Sequence, residues 1–427
     1  DIDRSYEYNP RVVSLEDGGF AMIWEGTYRS YSGTIQVRYE RDIFVQKFDA
    51  TGIPVGNETI QVSQTVPVVN GSTTAYDAFA DSSPDVTALA DGGFAVVWRG
   101  VDYYNSTTSY DGTTSEQSVY VQAYDKDGAA LGTTAALGEL DQSYGNDNRD
   151  RFSDSNPKIA ASSDGTYVVV WQTSYNAYSG TSLVERSNDI MAQRFAADGT
   201  AQGSSFQVSE TVAYQSGART EDAHRDYNPE ISALDGGGYV IAWYGSHSEY
   251  NSSNVLQSTE DNIYLRVISA EGQPVSEIVS LGLVDRSYSA DNQDRAYDYS
   301  PKVASTTDGG FVVTWYGNYY GYSGTTSTEF RQDVFVQRFD ASGTALAPAQ
   351  QVSVTDGRVN GNYTSYDNIQ DTDAQVTELL GGGFVVAWQS FQEVYENGVF
   401  ESRSYVIEAQ RFDASGVAAG ELMTLGT

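Results

Sequence analysis

The chain has 427 residues, no cysteine, and 58 acidic against 24 basic side chains, for a net charge of −34. That balance excludes nucleic acid as a partner and disfavours anionic membrane surfaces, both of which need a basic face. The missing cysteines exclude disulfide frameworks, thiolate metal sites and cysteine nucleophiles.

The opening segment, residues 1–10, is polar and carries no signal peptide, so the chain reads as a mature domain or one excised from a longer protein. No apolar run reaches the length of a membrane span, and no membrane insertion is expected. Along the chain the six tryptophans, Trp24, Trp98, Trp171, Trp243, Trp315 and Trp388, are spaced 74, 73, 72, 72 and 73 apart. Each ends a phrase of the type DGGFVVTW, with an aromatic four residues earlier on the same side of a strand. Within each repeat a first strand follows a proline, as in Pro301 onward. A tight Asp-Gly-Gly turn leads to a second strand, apolar throughout and so buried on both faces. A third strand reads DVFVQRFD, and a second tight turn, as at 340–343, leads to a fourth.

Four-stranded units with both faces covered, repeated six times, predict an all-β, six-bladed β-propeller of antiparallel blades. The blades fall at roughly 1–73, 74–146, 147–218, 219–290, 291–363 and 364–427, within a single domain. The tail (422–427) reads like a fourth strand, and the opening segment matches residues 292–301, as a closed ring requires. The alternative is a linear array of small β-sandwich modules. Odd repeats share a Tyr-Ser-Gly-Thr phrase (31–34, 178–181, 322–325).

The connections between second and third strands, and between fourth and first, read as long loops gathered on one face. Most of the 32 tyrosines lie there, a composition that suits adaptable binding surfaces. Tyr6, Tyr31, Tyr178, Tyr297, Tyr322 and Tyr366 are the candidate ligand-binding residues.

A second recurrence, Asp-x-x-x-(Asp/Glu)-x-x-Pro, precedes every first strand, with Ala374 in place of the proline in the sixth repeat. Its acids are Asp3 and Glu7, Asp77 and Asp81, Asp150 and Asp154, Asp222 and Asp226, Asp294 and Asp298, and Asp367 and Asp371. Paired carboxylates beside backbone carbonyls suit calcium, a hard cation with six to eight oxygen ligands. The competing reading is that each acid accepts backbone N–H bonds and fixes a turn. Asp42, Asp189 and Asp333, which open the third strand in odd repeats, add a threefold set of candidate carboxylate ligands.

No HExxH, phosphate-loop or dinucleotide motif is present, and the two histidines, His224 and His247, mark no nucleophile. Enzyme activity is not expected from these residues, although a glycosidase using two loop carboxylates stays open.

The unit Pro-x-V-x-x-x-x-D-G-G-F-V-V-x-W, continuing to V-x-Q-R-F-D-A-S-G, resembles repeats of large secreted bacterial proteins, the RTX-type calcium-dependent adhesins and related surface proteins. The resemblance covers all six repeats, but the glycine-rich calcium nonapeptides are missing. It implies an extracellular or cell-surface, bacterial location and an adhesive role. The resulting expectation is a non-enzymatic, calcium-stabilised adhesion module whose Tyr/Asp-rich face takes a glycan or a protein. The alternative is a self-assembling subunit of a surface layer or filament.

Overall fold

The computed structural model describes residues 4–56, 59–63, 67–70, 73–102, 116–138, 151–179, 182–282, 295–323, 326–360, 363–396 and 399–426. The described residues are all-β, without a helix. The chain divides into two compact units, residues 1–208 with 218–220, and 209–217 with 221–427. The first three repeats occupy the first unit and the last three the second.

Each repeat is an antiparallel meander. In the first, Arg4–Ser14 pairs with Phe20–Ser32, which pairs with Ile35–Phe48, and a short fourth strand, Ile60–Gln61, closes it. The Asp-Gly-Gly phrase makes the first turn, where the Leu15 amide donates to the Gly19 carbonyl at 2.9 Å. A Cβ added at Gly19 would sit 2.3 Å from the Phe48 carbonyl oxygen, so no larger residue fits without movement.

The predicted long connections between second and third strands are a point of correction. In the first repeat they are ladder, with Tyr31 opposite Gln36 and Ser32 opposite Ile35 around a two-residue turn. In the fifth and sixth repeats the ladder likewise extends to Ser323 opposite Thr326 and Glu396 opposite Val399. In the first repeat the Tyr-Ser-Gly-Thr phrase (31–34) is thus a hairpin tip, with Gly33 in the left-handed region (φ 63°). Alternating tyrosines and polar residues carry the strands outward, and each strand is long where the sequence read a short one.

The second strand is buried on both faces, as its unbroken apolar run requires: Val168, Val169 and Val170 are all inaccessible. One face of the second repeat (Phe94, Val96, Trp98) packs on the first repeat (Ala21, Ile23, Ile43, Val45). Its other face (Ala95, Val97) meets Tyr167, Val169 and Trp171 of the third. The second unit repeats the rule, with Phe311, Val313 and Trp315 on the fourth repeat, and Phe384, Val386 and Trp388 on the fifth. In the second, third, fifth and sixth repeats the tryptophan face therefore covers the back of the sheet before it.

Every first strand carries a bulge at the residue before the proline position. Asn9, Ser83, Asn156, Asn228, Ser300 and Asp373 all have φ between 51° and 54°, and the pairing register shifts around each. None is glycine, and a left-handed non-glycine residue is a strained backbone state. Its repetition makes the bulge part of the framework.

Candidate functional site

The recurring acid pairs are held by the framework. Asp81, Asp154, Asp226, Asp298 and Asp371 each accept the indole N–H of their repeat's tryptophan, at 2.6–3.1 Å. In the second, fourth and fifth repeats a glycine two residues beyond the tryptophan makes room for the carboxylate; a Cβ at Gly317 would meet Asp298 Oδ1 at 2.5 Å. Asp222 Oδ1 accepts the amides of Val212 and His224. Asp367 Oδ1 accepts those of Asp356 and Ile369. Glu7 is exposed on its strand. Asp3, Asp150 and Asp294 lie outside the described residues, as do the side chains of Asp77 and Tyr366.

The third-strand acids tie down the segment that follows. Asp42 accepts from the Ser63 hydroxyl at 3.0 Å, Asp189 from the Gln207 amide at 2.6 Å, and Asp333 from Gln351, Ser353 and Thr355. Among the described residues no group of three or more His, Asp or Glu side chains is arranged to hold a metal ion. In the second unit these acids do influence one another. Burial, reinforced by Glu408 and Asp333, pushes the Asp371 carboxyl up to about 7. Burial, with a smaller push from Asp333, raises Asp367 to about 6.

Of the candidate tyrosines, Tyr6 is exposed, and Tyr31 is half-buried with the Arg4 guanidinium 5.9 Å from its ring centre. Tyr178 and Tyr322 are half-buried at the hairpin tips of the third and fifth repeats. Tyr297 belongs to a larger assembly. It sits in the second unit with Tyr227, Tyr244, Tyr299, Tyr316 and Tyr320, none of which the sequence reading singled out. The signal was present in two phrases, Tyr-x-Pro before the bulge (227–229, 299–301) and Trp-Tyr-Gly (243–245, 315–317), and both occur together only in the fourth and fifth repeats.

The assembly is built from cross-strand pairs. Tyr227 faces Tyr244 at 5.8 Å and Tyr299 faces Tyr316 at 5.5 Å, each pair directly opposite in its ladder. Tyr244 and Tyr299 join the two repeats at 5.2 Å. The Tyr244 hydroxyl donates to Asp261 Oδ1 at 2.9 Å, and Asp261 stands opposite Tyr297 in the parallel bridge between repeats. Burial, with the Asp261 charge behind it, pushes the Tyr299 phenol up to about 12 and raises Tyr244 further. Burial also raises Tyr316, and there a different carboxylate contributes, Asp373 of the sixth-repeat bulge. All three phenols therefore stay protonated donors at neutral pH, with Asp261 hydrogen-bonded to Tyr244 and the Asp373 charge acting on Tyr316.

Beside this surface the two histidines lie face to face, their rings 3.9 Å apart and 1° from parallel. They are a cross-strand pair, at the position where the third repeat has Phe152 and Tyr175. His247 Nε2 donates to Asp226 Oδ1 at 2.9 Å, and Tyr264 covers its ring at 3.8 Å. Burial holds His247 down to about 4 and lowers His224, with the neighbouring imidazole adding to the latter.

No protein-family model and no curated protein matches the chain. Solved structures do align with it. The α-L-arabinanase of Penicillium chrysogenum complexed with arabinobiose is 13% identical at a TM-score of 0.38, over 96% of this chain and 94% of its own. The α-L-arabinofuranosidase of Fusarium graminearum complexed with an iminosugar inhibitor is 12% identical at 0.41, over 94% and 92%. The polysaccharide lyase Uly1 is 10% identical at 0.42, over 96% and 88%.

These neighbours are carbohydrate-active enzymes, not RTX-type adhesins, and they correct the resemblance drawn from the repeats. The repeated residues that carried it turn out to be turns, core strands and tryptophan anchors, features any such meander needs. With the resemblance go the expectations of a non-enzymatic, calcium-binding adhesion module, of a self-assembling subunit and of an absence of enzyme activity.

Proposed function

We propose that the chain is a glycoside hydrolase acting on a neutral glycan, built as a six-bladed β-propeller and working outside the cell or at its surface. The propeller reading extends the rule seen inside each unit, where the tryptophan faces of the second, third, fifth and sixth repeats cover the preceding sheet. The observation that carries the activity is the row of tyrosines in the fourth and fifth repeats, with the Asp261 carboxylate hydrogen-bonded to Tyr244 and the Asp373 charge acting on Tyr316. Aromatic faces stack on the C–H faces of sugar rings, and protonated phenols donate to ring and hydroxyl oxygens. Two carboxyl groups flanking the scissile bond are the minimum that acid–base glycoside cleavage requires. One protonates the departing oxygen, and the other activates water or attacks the anomeric carbon. The neutral substrate follows from the net charge of −34, which repels polyuronates.

A panel of chromogenic neutral glycosides, together with reducing-end release from neutral polysaccharides, tests the proposal. Asp261→Asn and Asp373→Asn are each expected to lower kcat by about 100-fold or more with folding intact. Full activity in both variants, or no activity of the parent on any neutral substrate, would overturn the assignment.

A further inference from the structure

The tyrosine row does not stop at the pair of carboxylates. From Tyr299 it continues along the same strand to Tyr297, with rings 6.5 Å apart. It then crosses to Tyr320, edge-on at 6.0 Å, which packs on Phe330 at 5.1 Å. Tyr316 and Tyr320 lie on one strand, four residues apart and on one face, two pleat steps or about 13 Å. Both are half-buried and present part of their rings, whereas Phe330 is buried beneath Tyr320. A span of that length exceeds a single sugar ring.

Resting on the reading of this site as a neutral-glycan hydrolase, we infer that Tyr297 and Tyr320 form an additional sugar-binding subsite. The preferred substrate is then an oligosaccharide of at least three units rather than a single terminal sugar. Tyr299 and Tyr244 hold the unit next to the carboxylates, and Tyr297 and Tyr320 hold units further along the chain. The two groups of rings are joined through Tyr299, so occupation of the second positions the first. Tyr297 and Tyr320 act by holding substrate and take no part in proton transfer.

The test is calorimetric titration of the full chain with gluco-, xylo-, manno- and arabino-oligosaccharides of one to six units. For at least one series the affinity is expected to rise about tenfold per added unit up to three or four, then level off. In Tyr320→Ala the rise is expected to flatten after the first unit while monosaccharide affinity stays within about twofold. Tyr297→Phe, which keeps the ring, is expected to retain the rise. Should the parent bind one unit as tightly as four, the subsite is overturned and the hydrolase assignment stands. If no neutral sugar of any length binds, both fall. The parent titration decides the matter even if Tyr320→Ala does not fold.

Discussion

The first and fourth repeats place different chemistry on the same two framework positions, the residue before the left-handed bulge and the residue after the tryptophan. In the first these are Tyr8 and Glu25. Glu25 is fully buried and its carboxylate accepts from the Asn9 side chain, the Ser83 amide and Arg41, at 2.8–2.9 Å. The third repeat does something similar with Asn156 and Gln172, 3.2 Å apart. In the fourth and fifth the same positions are Tyr227 with Tyr244 and Tyr299 with Tyr316. One unit closes the position with an internal polar lock; the other leaves aromatic rings half-open beside a carboxylate. The scaffold is shared, and the choice of two side chains decides whether the site serves cohesion or recognition.

That contrast can be broken at several points. The largest effect falls on what both units share: Asp154→Ala and Asp298→Ala each strand a buried indole N–H and are expected to cost about 3 kcal/mol, read by denaturant unfolding. Unequal costs would mean that the tryptophan anchors are not equivalent. Glu25→Gln breaks a buried ion pair and is expected to cost about 2–3 kcal/mol while glycan cleavage stays unchanged. Tyr244→Phe reverses that pattern, costing about 1 kcal/mol of stability and far more of activity.

Acidification separates two parts of the second unit. His247 is held down to about 4 in the folded chain against an ordinary 6.5, so the unfolded chain binds the extra proton first. Its contribution is therefore lost as pH falls from about 6.5 toward 4. Asp371, raised to about 7 from 3.8, has the opposite sign, and stability is gained as pH falls through that interval. Melting curves of His247→Tyr and Asp371→Asn are expected to tilt in opposite directions relative to the parent. A common direction would contradict the burial assigned to one of them. The smallest effect is Lys126→Ala: its ion pair with Asp127 is exposed on both sides, and no measurable change in the unfolding midpoint is expected.

The frame was legible because its signals are local. Asp-Gly-Gly turns, an unbroken apolar second strand and a tryptophan every 73 residues or so identify the meander without a coordinate. The role of the second acid in each pair was less legible, since Asp298 and Trp315 meet 17 residues apart and nothing between them spells the contact. The hairpin extensions were misread because tyrosine, serine and glycine in mixture look like loop. In the fold, alternate tyrosines face neighbours across a ladder closed by one left-handed glycine. The site was missed for a related reason. Counting tyrosines by segment hides that Tyr244 and Tyr299, 55 residues apart, are brought to 5.2 Å by packing between consecutive sheets.

The stacked histidines bear on how such a chain assembles itself. Six strands of nearly the same sequence are synthesised in succession, and each has chemically plausible wrong partners one period away, the circumstance in which repeat proteins misassemble. The cross-strand pair at this level differs from repeat to repeat: Phe152 with Tyr175, His224 with His247, Ala296 with Tyr319, Ile369 with Gln392. A histidine strand mated to a neighbour's hairpin would exchange the His–His stack for a pairing of different size and polarity. Variation of this pair from repeat to repeat is the kind of difference that distinguishes one hairpin from the next where the rest of the sequence is almost interchangeable.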